Sequence, residues 1–343
     1  MERVLAERIV RLSVGLDYHQ AGVQVCVLAP DGRVLANRSL PNDVGALMEL
    51  AGRFGRPVQA AVEACCGAAA LADALVQRGW AVHLAHPGYV RKMKQNPDKT
   101  DYSDARLLAD LVRVGYLPRV WLAPPAIRDL RCLVRYRQQV VERRRAVKLR
   151  IRALLREHRV VGAARRLWTK AGLRWLAGLG LPPEARWVLD RHLEELCHEN
   201  AAEARAVVRL RAAVAQDAVV ARLLELPGIG LVTAAVLRAE IGQFDRFGSG
   251  KALAHYCGLS PRNASSGQRQ ADAGLVKTGH PLLRATLIQA AHRLSQRDLR
   301  WKAYRVALRA RGKAGSVVAA AIGNRWIRWL YYQVLSTVPL PAA

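Results

Sequence analysis

The order of short apolar segments between Ile9 and Ala85 leaves few folds open to this chain. Residues 9–16 (Ile9-Val10-Arg11-Leu12-Ser13-Val14-Gly15-Leu16) alternate and then turn apolar, as a strand does on entering a core. Val23 to Leu28 reads as a second strand and Arg33 to Leu40 as a third, with Asp31-Gly32 as the hairpin turn between them. Pro41-Asn42-Asp43 starts a helix that runs to about Phe54. Val58 to Val62 is a fourth strand, Ala68 to Arg78 a helix, and Ala81 to Ala85 a fifth strand. A further helical pattern opens at Asp101 and continues through Leu107, Leu108, Leu111 and Val112. Three hairpin-linked strands followed by alternating helices and strands predict a mixed sheet with helices on its faces.

That order is the RNase H-like arrangement, and acidic residues fall at telling places in it. Asp17 ends the first strand and Glu63 ends the fourth. Asp101 and Asp104, three apart, share one helix face. Two readings of the helical pair stand. Acids in a first turn cap free N–H groups and suit the helix dipole; alternatively, paired carboxylates in a basic chain hold a cation. If the first and fourth strands are neighbours, all four carboxylates converge at one sheet edge. Convergent carboxylates suit two hard divalent ions, roughly 3.5–4 Å apart, in phosphoryl transfer on nucleic acid. No nitrogen or sulfur ligand spacing accompanies them, so the expected ion is Mg²⁺, with Mn²⁺ as a substitute.

The partner follows from charge. The 343 residues hold 54 Lys and Arg against 27 Asp and Glu, a net charge of +27. Self-repulsion on that scale calls for a polyanion, and arginine suits bidentate phosphate contact. Nucleic acid is the expected partner. A membrane is not: there is no lipidation signal, no signal-peptide h-region and no apolar run of spanning length. Six cysteines without a C-x-x-C pair and scattered histidines argue against zinc and against a disulfide framework, and predict a reduced, cytoplasmic protein.

Beyond a linker at Pro118 to Pro125 the pattern turns helical for about thirty residues from Ile127. Leu133, Val140, Val147 and Leu154 recur at a heptad interval, a coiled-coil seam. Its other faces are dense in arginine from Arg128 to Arg156, with Arg143, Arg144 and Arg145 at the centre, and few acids stand four residues away. A phosphate-binding face and a solvated face are both consistent with this. Gly178 to Pro183 breaks the chain, and a more acidic helix from Glu184 to Ala213 is expected to return antiparallel and offset part of the charge.

Leu226-Pro227-Gly228-Ile229-Gly230 is a helix-hairpin-helix type of turn, in which Gly228 and Gly230 let backbone N–H groups approach a phosphate. Phe244, Phe247, Leu253, Tyr256 and Leu259 predict a small core. Pro261 to Gln270 reads as a surface loop holding Ser265-Ser266-Gly267, flanked by Arg262 and Arg269 with Lys277 beyond. A serine among arginines can attack a phosphodiester and hold the strand covalently, although a Ser-Ser-Gly loop is ordinary turn chemistry too. A helix from Lys277-Thr278-Gly279-His280-Pro281 and a basic helical tail from Arg300 to Ser336 complete the chain.

Taken together, these motifs resemble the DEDD transposases of the insertion-sequence-110 family, the bridge-RNA-guided recombinases. Gly15-Leu16-Asp17, Val62-Glu63-Ala64-Cys65 and Lys99-Thr100-Asp101-Tyr102-Ser103-Asp104-Ala105 carry the resemblance in the first half. Leu226-Pro227-Gly228-Ile229-Gly230, Gly258-Leu259-Ser260-Pro261, Ser266-Gly267 and Lys277-Thr278-Gly279 carry it in the second. The resemblance implies a RuvC-like domain over 1–122 with the tetrad Asp17, Glu63, Asp101 and Asp104. It implies a coiled-coil arm over 123–222 and a transposase domain over 223–343 with Ser266 as nucleophile, Ser265 being its rival. It further implies donor and target DNA, a structured guide RNA, and a homo-oligomer, dimer or tetramer, in which the tetrad of one subunit meets the serine of another. Two other readings of the residues remain: a metal-dependent structure-specific nuclease with no guide, and a non-catalytic nucleic-acid binder.

Overall fold

A computed structural model of the chain describes residues 12–55, 58–94, 100–160, 166–263, 272–276 and 279–337. The chain divides into two compact units, Met1–Ala123 and Pro124–Ala343.

The first unit is built on a six-stranded mixed sheet. Its strands are β1 (Leu12–Tyr18), β2 (Gly22–Leu28), β3 (Val34–Pro41), β4 (Val58–Glu63), β5 (Ala81–Ala85) and β6 (Arg119–Val120), in the order β3-β2-β1-β4-β5-β6. β1 to β3 pair antiparallel as hairpins, β4 and β5 run parallel to β1, and β6 returns antiparallel. This α/β architecture is compatible with the RNase H-like domain expected from the segment order. Two short elements escape that order: helix α3 (Pro87–Met93), and β6, which lies inside the stretch read as a linker.

The period of two in β1 sorts its side chains. Leu12, Val14 and Leu16 point into one core with Val23, Val25, Leu47, Leu71 and Leu75, carried partly by α1 (Val44–Gly52) and α2 (Ala68–Gln77). Full burial stabilises each such side chain by about 1.5–3 kcal/mol. Gly15 and Asp17 face the other side, where α4 (Asp101–Arg113) lies on the sheet. The approach is close because α4 presents Ala105 and Ala109, both fully buried, to a strand position with no side chain.

The second unit is helical. α5 (Pro125–Glu157) and α7 (Pro183–Ala213) pair along their length, with the short α6 (Lys170–Ala177) between them in sequence. Their contacts run in opposite senses: Arg137 and Arg144 reach Glu203, Arg143 reaches Glu199, and Arg150 reaches Glu195. The acids that α5 lacks are thus supplied by α7. On α7, Leu189, Leu196 and Leu210 repeat every seven residues, and Glu203 occupies the seam position where leucine would continue the series. A polar layer therefore interrupts two apolar stretches. One stretch holds Val147, Ile151, Leu155, Leu189 and Leu196; in the other, Leu130, Val134 and Leu210 join the core of the remaining helices. Glu203→Ala leaves two largely buried guanidinium groups without their shared carboxylate. It should cost about 2 kcal/mol, read as a lower urea midpoint for the full chain.

That remaining core is built by α8 (Ala218–Leu224), α9 (Leu231–Ile241), α10 (Gly250–Tyr256), α11 (Pro281–Arg297), α12 (Leu299–Ala310) and α13 (Gly315–Thr337). Phe244, Phe247, Leu253 and Leu259 are buried in it, as the sequence predicts. The tail is two helices, broken where Gly312 takes a positive φ. The buried Glu240 is held by Nε and Nη2 of Arg135, each at 2.9 Å, and by His280 at 3.3 Å, linking α9 to α5 and to the start of α11. Strands β7 (Pro261–Asn263) and β8 (Asp272–Leu275) form an antiparallel hairpin. The residues joining them, 264–271, lie outside the described residues.

Candidate active site

Asp17 and Glu63 reach the same sheet edge because β1 and β4 are parallel neighbours. The β1–β4 pairing ends with Leu16 opposite Val62, so Asp17 and Glu63 are the next residues on each strand. Both lie on the α4 side: Asp17 follows Gly15 in alternation, and Glu63 follows Ala61, which packs with Leu108 and Val112 of α4. The Ala64 amide donates to the Ala85 carbonyl at 2.9 Å, which continues the pairing just past Glu63.

The helical acids arrive from above. Thr100 is the N-cap of α4, its Oγ1 accepting from the Ser103 amide at 3.2 Å. Capping is therefore done by threonine, and Asp101 and Asp104 stand in the first turn without that duty. Asn37 Nδ2 donates to the Tyr102 carbonyl at 3.0 Å, and Gln24 Nε2 donates to Asn37 Oδ1 at 2.8 Å, fixing the start of α4 over β2 and β3. Gln24 is the cross-strand partner of Asp17.

One ligand atom each from Asp17, His19 and Asp101 lie within 4.8 Å of one another. His19 Nε2 is 3.4 Å from a carboxylate oxygen of both aspartates. Asp104 is buried, and its Oδ1 receives Lys94 Nζ at 2.5 Å. Burial pushes the Asp17 carboxyl above its ordinary range; repulsion from Asp101 and Asp104 adds to this, and His19 opposes it. The structure thus brings Asp17, Asp101 and Asp104 together electrostatically and sets Glu63 on the neighbouring strand end. Glu63 is not part of the tight Asp17–His19–Asp101 cluster. Oxygen donors in mutual repulsion, relieved by an ammonium and an imidazole, are a donor set that fits a hard divalent cation. An open cleft of about 620 Å³ adjoins His19 and Asp101, bordered by Gln24 and Ser39.

The sequence reading missed His19 and Lys94. A signal existed for the first: His19 stands two residues after Asp17, hence on the same face of an extended chain. Lys94 has no comparable signal, because it reaches Asp104 from the end of a helix the pattern did not show.

The other sequence-predicted positions fare differently. Arg143 and Arg144 are engaged with Glu199 and Glu203, while Arg145 is exposed and makes no ion pair among the described residues. Gly228 takes φ +77 and its carbonyl accepts from Arg293 Nε at 3.1 Å, so the hairpin is held against α11. Gly230 is the N-cap of α9 and faces open space. Arg262 is exposed on β7. Ser265, Ser266, Arg269 and Lys277 lie outside the described residues.

Two family models match the chain. One, for a transposase of the DEDD IS110 type, covers residues 14–160, and the second, described as transposase IS116/IS110/IS902 family, covers 220–305. The chain belongs to the IS110 family of transposases. The transposase for insertion sequence element IS1111A of Coxiella burnetii is 26% identical over 324 residues, 92% of this chain and 88% of that one. The transposase for insertion sequence element IS1328 of Yersinia enterocolitica is 29% identical over 287 residues, 79% of this chain and 82% of that one. The y4qE chain of Sinorhizobium fredii is 29% identical over 267 residues, 69% of this chain and 65% of its own length. As an IS110 transposase the chain is an enzyme acting on DNA, which sets aside the non-catalytic reading. The DEDD type implies use of a divalent metal, with which the Asp17, His19 and Asp101 cluster is compatible. Among the described residues no helix is long and apolar enough to cross a membrane.

Proposed function

We propose that this IS110 transposase is a site-specific recombinase that inserts and excises a mobile element, with an element-encoded structured RNA choosing donor and target DNA. Asp17, Glu63, Asp101 and Asp104 form its metal site, Mg²⁺ being the resident ion and Mn²⁺ a substitute, and Ser266 is its nucleophile. One observation carries the reading. Mutually repelling carboxylates stand at a strand-end site in a chain of +27 net charge, relieved of capping by Thr100.

A divalent ion held by these carboxylates supplies Lewis-acid polarisation of a phosphate oxygen. The chain's own groups do the rest. His19 draws Asp17 and Asp101 together across 3.4 Å contacts, and Lys94 holds Asp104 in the first turn of α4. Partial burial of Asp17 keeps its charge poorly screened and so strengthens its pull on a cation. Ser266 Oγ bonds to the phosphodiester phosphorus while one P–O bond breaks, so that one strand end leaves as a hydroxyl carrying the proton the serine gives up and the other stays on the serine as a phosphoester; the positive Arg262, Arg269 and Lys277 offset the charge that develops there. Arg145 and Gly230 remain available for phosphate contact on the arm and the hairpin. The division into 1–122, 123–222 and 223–343, the coiled-coil character of the arm and the helix-hairpin-helix role of the Gly228 turn belong to this reading. So do a dimer or tetramer that joins one subunit's tetrad to another's serine, and a cytoplasmic, nucleoid-associated protein.

The test is strand exchange between matched donor and target plasmids, with the copurifying RNA present. Ser266→Ala should abolish both exchange and the covalent protein–DNA product, and Ser265→Ala should retain both. Exchange by Ser266→Ala at the parental level would refute the serine mechanism. Metal-dependent cleavage without joining, adduct or RNA would identify a structure-specific nuclease instead.

A further inference from the structure

Far along the chain from the acidic cluster, α11, α12 and α13 enclose a separate cavity of about 270 Å³. Its floor is aliphatic: Val318, Ala319 and Ile322 of α13 are all buried. Its rim is basic: His292 of α11 and Arg305 and Arg309 of α12 line it, and among the described residues no acidic residue does. Among the described residues the Arg305 guanidinium and the His292 imidazole have no side-chain partner, and Arg309 donates only to the Lys313 carbonyl, at 3.0 Å. From Leu299 to the end the chain holds eight Arg and Lys and no Asp or Glu.

The first turn of α13 opens onto the same cavity. Gly315 lines it, and a Cβ added there would meet nothing within 4 Å. The first helical hydrogen bond runs from the Val318 amide to the Ala314 carbonyl, so the amides before Val318 lie outside the helical ladder. An apolar floor beneath unpaired guanidinium groups matches a planar apolar body that carries an anion. The volume, near the lower end of small-ligand sites at roughly 300 Å³, suits one nucleotide and not a stacked duplex step.

We infer that this cavity binds one unstacked nucleotide of a single-stranded nucleic acid, its base on the Val318–Ala319–Ile322 floor and its phosphate on Arg305 and Arg309. Single strands can offer such a base because it is free of a pairing partner, whereas a duplex must first extrude it. The inference rests on the cavity alone and holds whether or not the recombinase reading does.

Binding of a fluorescent ten-nucleotide single strand to the full chain, without divalent metal, tests it. Separate titrations use DNA and RNA, with the matching duplex as reference. Arg305→Gln should weaken single-strand binding about tenfold, as for loss of one charge-assisted phosphate contact, and should flatten the salt dependence by about 0.7 in the log–log slope. Lys302→Gln, an equal loss of charge on the exposed side of α12, should weaken it distinctly less. Ala319→Leu keeps every charge and fills the floor; it should weaken single-strand binding while leaving duplex binding unchanged. A larger effect with RNA or with DNA tells which strand supplies the nucleotide. Equal losses for Arg305→Gln and Lys302→Gln, or equal losses on single strand and duplex, would overturn the inference. So would parental single-strand binding by a folded Ala319→Leu protein.

Discussion

Asp104→Ala should lower strand exchange at least about 100-fold while the chain still folds. Losing one preorganised group that stabilises transition-state charge costs about 10²–10³ in rate, and a metal ligand acts on the same charge. The structure gives this variant a second readout. Asp17 is held above its ordinary range by burial first and by Asp101 and Asp104 next. The unfolded chain therefore releases that proton at a lower pH than the folded chain does. Between the two values the folded state binds more protons, so stability falls as pH rises through that window. A bound divalent ion removes the penalty. Mg²⁺ should thus raise the melting temperature at neutral pH and have little effect below the carboxylate range. Asp104→Ala should shrink the metal-induced shift, and Asp101→Ala, at an exposed position, should do the same with less risk to the fold. A full metal-induced shift in both variants would mean that the ion binds elsewhere.

Gly15→Ala should unfold the first unit or shift α4 off the sheet. An added Cβ would fall 1.8 Å from the Ala105 carbonyl oxygen and 2.5 Å from the Ala109 amide nitrogen. Both are helix backbone, so no side chain can rotate away. Overpacking a core by one methyl usually costs about 1–3 kcal/mol, and a clash with two backbone atoms belongs at or above the top of that range. Thermal unfolding and metal binding should fail together, because α4 carries Asp101 and Asp104. A variant with parental melting and metal response would show that α4 does not depend on this contact.

The sequence revealed the sheet because its periods are local. The alternation of β1, the Asp31-Gly32 turn and the apolar β4 and β5 need only neighbouring residues to be read, and their parallel pairing makes Asp17 and Glu63 neighbours. The cap of α4 is Thr100, one residue upstream of Asp101, whose hydroxyl takes the Ser103 amide, so capping does not account for Asp101 and Asp104. Lys94 was hidden because its partner is ten residues on, across a break in helical pattern. The arginines of α5 were ambiguous for a similar reason. Their acids lie 45 to 66 residues away on α7, so spacing within one helix could not say which cations are already neutralised.

The polar layer of the helix pair has a mechanical consequence. Along α7, a slide of one heptad would set Leu196 or Leu210 opposite Arg137 and Arg144, and would carry Glu203 into aliphatic surroundings. Both ends of such a slip leave buried charges without partners, which is costly. An α-helix of 33 residues is about 50 Å long. With its register pinned near the middle, the pair behaves as a gauge of one fixed setting. Lengthening it by whole heptads on both helices beyond the layer should change its reach without loosening its lock, and inserting a heptad in one helix alone should break it.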